Sequence, residues 1–256
     1  MPLQLLLSTI QMVCTLASAL IAGRLYRSGL FRRYPALFSY MVFHALYSIF
    51  PLVLKSNSPA YFWFWCVAFP FVWALNILMV RELCRVVLER HQGLYTLGRW
   101  VMYTGVATSG VLTFLSLLPR INSTLPARSR VLWYALAADR GIGLGLAIFL
   151  LLMIFAVSRY PVRLSRNVLL NAFLFTMDYL ANTLATILVV VFDKRIGETV
   201  NSAITILNAV CMVVWFFCLT PAGELAKVEW IHFGADYERR VLNRLDSLNR
   251  VLQRAA

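Results

Sequence analysis

Apolar positions along this chain fall into blocks of about twenty residues, separated by short stretches rich in arginine. A helix rises ~1.5 Å per residue, so such a block matches the ~30 Å hydrocarbon core of a bilayer. Lipid offers a bare backbone no water to bond, which restricts spanning segments to helices and closed barrels. Barrel strands need only ~9–11 residues of alternating character, and these blocks do not alternate. Seven blocks are evident, at residues 3–22, 35–54, 61–80, 100–118, 138–157, 168–191 and 200–219. The pattern therefore predicts an all-α integral membrane bundle of about seven transmembrane helices over residues 1–221. A polar segment, 222–256, follows it.

The first block has Ala17-Ser18-Ala19, which resembles a signal-peptidase site, but no positive residue precedes it and the apolar run continues to Ala22. A retained helix is the expectation. Orientation follows from Lys and Arg. With the N-terminus outside, the cytoplasmic segments hold seventeen of the 24 cations, including Arg24, Arg27, Arg32 and Arg33, then Arg81, Arg85, Arg90 and Arg99. The opposite segments hold six, and only Arg140 falls within a span. This asymmetry places the C-terminus in the cytoplasm.

Composition agrees: 61% of residues are hydrophobic and 14% charged, against roughly 25% charged in a soluble domain. The net charge of +13 would suggest nucleic acid in a soluble protein. Here the arginines sit at segment ends, where membrane topology accounts for them, so no nucleic-acid partner is expected. Five cysteines, Cys14, Cys66, Cys84, Cys211 and Cys218, lie mostly in apolar runs without a CxxC and read as small core residues.

Local features refine the picture. Tyr61 to Trp65 is an aromatic run suited to the headgroup level, with a ligand cage as the other reading. Pro70 should kink the third helix. Gly105, Ala107, Ser109 and Gly110 should let the fourth helix approach a neighbour. Gly141, Gly143 and Gly145 form a GxGxG inside a span; no strand precedes it, so it signals close packing or flexibility rather than a dinucleotide. Asn122-Ser123-Thr124 matches a glycosylation sequon on the outer side. Val131 to Ala137 should extend the fifth helix beyond the membrane. Arg81, Glu82 and Arg85 continue the third helix toward about His91, with Glu82–Arg85 and Arg85–Glu89 pairs, as a partner contact or a solvated helix end.

Polar residues at membrane depth carry the functional information, because an Asp at a helix centre costs ~2.5–3.5 kcal/mol. Asp178 lies about 15 Å in from Val168, His44 about 14 Å in from Pro35, and Asn208 about 12 Å in from Val200. Three helices thus bring an acid, an imidazole and an amide to similar depth. Asn171, Asn182 and Thr186 share one helical face with Asp178, and Asn201, Thr205 and Asn208 stripe the next helix. Asp178, His44, Asn208, Asn182, Asn171 and Thr205 are the candidate ligand-binding or proton-linked residues. Interhelical hydrogen bonding is the competing account. Asp139 and Arg140, near the outer interface, are a candidate pocket entrance or an interfacial ion pair.

Several activities lack their residues. Lys55, Lys194 and Lys227 all fall outside the spans, so no lysine is placed to carry retinal. His91 and His232 lie in cytoplasmic segments, leaving His44 without a second buried imidazole for haem. No metal-ligand spacing, HExxH, GxSxG or P-loop occurs, and Asp178 has no second midplane acid for intramembrane proteolysis. The expectation is a protein without cofactor, metal or catalytic activity.

In the tail, Tyr237, Val241, Leu245, Leu248 and Leu252 form an apolar helical stripe among arginines. It could lie on anionic lipid or form a short parallel coiled coil in a homodimer. Seven helices, an outside N-terminus and a helical cytoplasmic tail resemble the seven-transmembrane input regions of bacterial histidine kinases and cyclases. That resemblance is one of architecture, and no output domain follows before Ala256. It implies a receptor-like sensor in the bacterial inner membrane that signals to a separate cytoplasmic partner. A small-solute or proton-linked transporter, and an accessory subunit of a larger membrane complex, are the alternatives.

Overall fold

Several helix starts are written locally in the same way, as a capping residue followed by proline. Ser58 accepts a hydrogen bond from Tyr61 N at 3.2 Å ahead of Pro59, and Thr220 accepts from Gly223 N at 3.1 Å ahead of Pro221. Tyr34 stands in the same position ahead of Pro35. Proline is favourable there because its missing N–H is one that the helix would leave unbonded.

A computed structural model of the chain describes residues 2–50, 58–89, 92–117, 127–159, 164–192, 194–228 and 247. Among them are eight α-helices: α1 Pro2–Arg27, α2 Pro35–Tyr47, α3 Pro59–Val87, α4 Gln92–Leu117, α5 Ala127–Arg159, α6 Arg166–Phe192, α7 Lys194–Cys218 and α8 Pro221–Leu225. A two-stranded antiparallel ribbon pairs Leu164 with Val228 and Ser165 with Lys227. We call its strands β1 (Leu164–Ser165) and β2 (Lys227–Val228). Four segments are long and apolar enough to cross a membrane: Thr9–Arg27, Pro59–Val87, Ala138–Ala156 and Arg166–Ala185. The outer faces agree, since Leu16, Phe155, Phe173 and Phe217 are each more than half exposed. This is a helical membrane protein.

Each predicted block coincides with one of α1 to α7, with changed ends. α5 begins at Ala127, so the expected extension before the fifth block is helical. α3 continues past its block to Val87, running through Pro70. The largest departure is α2, expected to residue 54 but closed at Tyr47. Ser48 N bonds back to His44 O at 3.0 Å and Ile49 N to Leu46 O at 3.2 Å. A turn at Ser48 and Ile49 separates α2 from helical backbone that resumes at Phe50, and Pro51 has no N–H to offer the Tyr47 carbonyl. The ribbon and α8 are features that the hydrophobic pattern did not predict. The tail stripe Val241, Leu245, Leu248 and Leu252, like the sequon at 122–124, lies outside the described residues.

Packing closes six helices into a ring, α1–α2–α3–α5–α6–α7, with α7 returning to α1. Helix α4 stands outside the ring, packed mainly on α5 and also touching α3. Gly141 and Gly145 explain the α4–α5 approach. A Cβ on Gly141 would sit 2.5 Å from Gly110 Cα, and one on Gly145 would sit 2.8 Å from Val106 Cα. Ser109 Oγ donates to Gly141 O at 2.7 Å across the seam. Gly141 and Gly145 of the GxGxG are therefore a packing device, small residues admitting a neighbouring backbone, while Gly143 faces α6. Gly105 has open space beside it and does not take part.

The buried core occupies one half of the ring, toward the ends that carry the arginine-rich connections (the basic end). Ile21, Leu25, Leu37, Met41, Val80, Leu146, Leu150 and Val168 are at most 2% exposed. Gly29, at φ 73°, makes the left-handed turn between α1 and a short 3₁₀ turn, Leu30–Arg32.

Candidate functional site

Toward the other end, the same six helices diverge around a cavity of about 510 Å³. Every ring helix contributes to its wall: Gln11 and Cys14 from α1, Tyr40, His44 and Tyr47 from α2, Val72 and Asn76 from α3. From α5 come Asp139, Arg140 and Gly143; from α6, Asp178, Tyr179, Asn182 and Thr183; from α7, Ile204, Thr205 and Asn208. Its volume lies within the ~300–1,000 Å³ usual for small-molecule pockets.

Of the candidates read from sequence, Asp178, His44, Asn208, Asn182 and Thr205 all line this one cavity, and so do Asp139 and Arg140. Asn171 does not. It is 2% exposed below the cavity and accepts a hydrogen bond from Trp215 Nε1 at 2.9 Å, so its role is interhelical bonding. The side chains of Thr186 and Asn201 lie outside the described residues.

Several cavity groups are held by their own neighbours. Asn182 Nδ2 donates to Asp178 Oδ1 at 3.1 Å and to Asp178 O at 2.8 Å, one helical turn apart. Asp139 Oδ1 accepts from Trp73 Nε1 at 2.9 Å. Trp73 ends an i, i+4 ladder down α3, Tyr61–Trp65–Phe69–Trp73, with ring centroids 5.3–5.9 Å apart. Tyr61, Phe64 and Trp65 pack inward, Phe64 and Trp65 against Tyr47 of α2, while Trp63 is 64% exposed. The aromatic run thus combines an outward ring with a buttress for Asp139.

His44 Nδ1 lies 2.9 Å from Ser18 Oγ and 3.4 Å from Ser48 Oγ. Ser18 is fully buried and gives its single proton to Cys14 O at 2.7 Å. With the Ser18 proton on Cys14 O, the matching tautomer of His44 carries its proton at Nδ1 and presents Nε2 as an acceptor. Asp178, His44 and Asn208 therefore do not satisfy one another, as interhelical bonding would require. Among the described residues, Asn208 Oδ1 and Tyr179 OH in the wall are buried without a hydrogen-bond partner. Unpaired buried polar atoms cost free energy, and in native proteins they call for an explanation.

The partner-contact candidates on α3 lie near the basic end, and two are engaged within the chain, Arg81 by a side-chain hydrogen bond with Tyr103 and Glu82 by the start of α2. Glu82 caps α2, accepting from Ala36 N at 2.7 Å and Leu37 N at 3.3 Å. Glu89 pairs with Arg33 at 2.8 Å, correcting the expected Arg85–Glu89 pair. The physical reason is that loop residues 33–37 bring a guanidinium and two unbonded helix N–H groups to these acids, a better match than a solvated neighbour. Arg81 and Arg85 remain exposed.

Around Glu224 the basic end forms a clasp that the sequence reading missed. Tyr34 OH donates to Glu224 Oε2 at 2.6 Å, Arg33 Nε lies 3.4 Å from Oε1, and Asn167 Nδ2 donates to Thr220 O at 2.8 Å. Arg166 N donates to Ala226 O at 3.0 Å beside the ribbon, and Arg24 donates to Phe216 O. Burial, then the hydrogen bond to Glu224, pushes the Tyr34 phenol well above its ordinary range. The hydrogen bond to Glu89 raises Arg33 further. The clasp ties the start of the tail to the first loop and to α6.

All five cysteines are free thiols. Among the described residues, no cluster of three or more His, Cys, Asp or Glu could hold a metal ion. Comparison with protein-family models, curated proteins and solved structures finds no match to this chain.

Proposed function

We propose that this chain is a seven-span sensory protein, with its N-terminus outside and its basic end in the cytoplasm. It binds a small ligand in the ring cavity and signals through the clasp to a separate cytoplasmic partner, without catalysis of its own. The observation that carries this reading is a six-helix cavity whose wall holds unpaired buried polar atoms. A bound molecule supplying partners to these atoms would repay their cost, so the bound and free states differ in energy at the site. A ligand can shift an equilibrium only through such a difference.

Signalling is favoured over transport by the layer beneath the cavity. Met41, Val80, Leu146 and Leu150, each fully buried, close the basic half. The clasp beyond them connects α6 and α8 to the segment that leads into the tail. The resemblance to bacterial seven-transmembrane input regions supports an inner-membrane location.

A cysteine-labelling experiment, begun on intact cells, tests the proposal. Ser28→Cys, at the basic end of α1, should be inaccessible to a membrane-impermeant thiol reagent added outside. After the cells are opened, its reactivity should change about threefold or more between the native cavity and the Asn208→Leu variant, equivalent to ~0.6 kcal/mol or more. Unchanged reactivity would separate the two ends and remove the sensory reading. Saturable solute flux in proteoliposomes that is abolished by Asp178→Asn would make the chain a transporter instead.

A further inference from the structure

The cavity wall also constrains what it can hold; this step rests on the reading of the cavity as a ligand site. The donors nearest its two carboxylates are already engaged: Trp73 Nε1 on Asp139 and Asn182 Nδ2 on Asp178. The His44 tautomer that donates to Ser18 adds a lone pair at Nε2, and Asn208 Oδ1 adds an acceptor with no partner among the described residues. Formal charge points the same way, with two aspartates against the single guanidinium of Arg140. Tyr40 and Tyr47 flank His44, with ring centroids 5.8 and 6.1 Å from the imidazole, and Tyr179 adds a third phenol ring to the wall. Aromatic faces with nearby carboxylates and spare acceptors are the surroundings that attract a desolvated cation.

We infer that the cavity takes a small organic cation, an ammonium carrying N–H donors on an apolar body. Its N–H groups meet the acceptors of Asp178, Asn208 and His44, and its apolar part lies against the tyrosines. A carboxylate or phosphate ligand would face two like charges and would find Arg140 as its only formal positive charge in the wall.

Thiol chemistry inside the cavity tests the sign of its field. Ile204 lines the cavity on α7 and takes no part in the proposed recognition. The full-length Ile204→Cys protein in nanodiscs is treated with trimethylammonioethyl methanethiosulfonate or with the sulfonatoethyl reagent, and modification at position 204 is timed by peptide mass spectrometry. After correction for each reagent's rate with free cysteine, the cationic reagent should react faster by about tenfold or more. That bias should collapse in Asp139→Asn and Asp178→Asn, and phenethylammonium should slow the reaction where phenylacetate does not. Equal rates, a bias surviving both substitutions, or protection by phenylacetate alone would overturn the cation while leaving an open binding cavity. No modification by either reagent, at position 204 or in a Thr183→Cys variant on α6, would mean that the cavity is closed to ligands and would remove the underlying reading as well.

Discussion

The two halves of this bundle are made from the same six helices and have opposite interiors. Along α2, Leu37 and Met41 give way to His44 and Tyr47; along α7, Trp215 and Met212 form the apolar floor of the cavity and give way to Asn208 and Thr205. Helix α5 passes from Leu150 and Leu146 to Arg140 and Asp139, and α6 from Val168 and Phe175 to Asp178 and Asn182. Each helix changes character at a similar level, so one half is filled and clasped while the other stays open and polar. The difference teaches where the free energy resides. Packing and the clasp stabilise the basic half, whereas the cavity half keeps groups that packing alone would have replaced. Binding sites commonly carry such a cost, which the rest of the fold offsets.

Substitutions can break this comparison, beginning with the largest effect. Leu150→Ala empties a fully buried position in the filled half and should destabilise by ~2–5 kcal/mol, read as a lowered unfolding midpoint in detergent. Equal loss from Thr205→Ala in the cavity half would deny that the halves differ. Glu224→Ala removes the acceptor shared by Tyr34 and Asn167 and should cost about 1–3 kcal/mol. It should also speed proteolysis after α8, and an unchanged digestion pattern would show that the clasp does not hold the tail.

Tyr34 sharpens the contrast through pH. Its folded phenol titrates above the ordinary value of 10.0, so its contribution is fully present below pH 10 and is lost as pH rises beyond it. Stability should fall by up to ~1.4 kcal/mol per pH unit above that value. Tyr34→Phe should remove this component of the slope between pH 10 and 11, measured against the native chain because other tyrosines titrate as well. The smallest effect should have the opposite sign. Asn208→Leu replaces an unpaired acceptor in the cavity wall and should leave stability unchanged or raise it by up to ~1 kcal/mol. A loss of more than that would mean that Asn208 serves the fold rather than a ligand.

Much of the candidate site was legible before folding because charge and amide groups at membrane depth are expensive wherever they occur. That single rule found Asp178, His44, Asn208, Asn182 and Thr205. It could not find Tyr40, Tyr47 and Tyr179, since tyrosine is ordinary in an apolar run, although Tyr40, His44 and Tyr47 fall at i, i+4 and i+7 on one face of α2. Nor could it separate Asn171 from Asn182. Both share a face with Asp178, but Asn171 lies seven residues nearer the basic end, at a level where Trp215 reaches across from α7.

From sequence alone came the helices, their apolar outer faces and the concentration of arginine at one end, because each depends on local composition and on the thickness of lipid. Helix order in the ring, the displacement of α4 and the joining of five polar residues into one wall are tertiary facts. They depend on which faces meet across helices distant in the chain, decided by contacts such as Gly141 on Gly110 and Glu82 on the start of α2. Hydrophobic spacing reports how deep a residue sits, but not which neighbour it will find there.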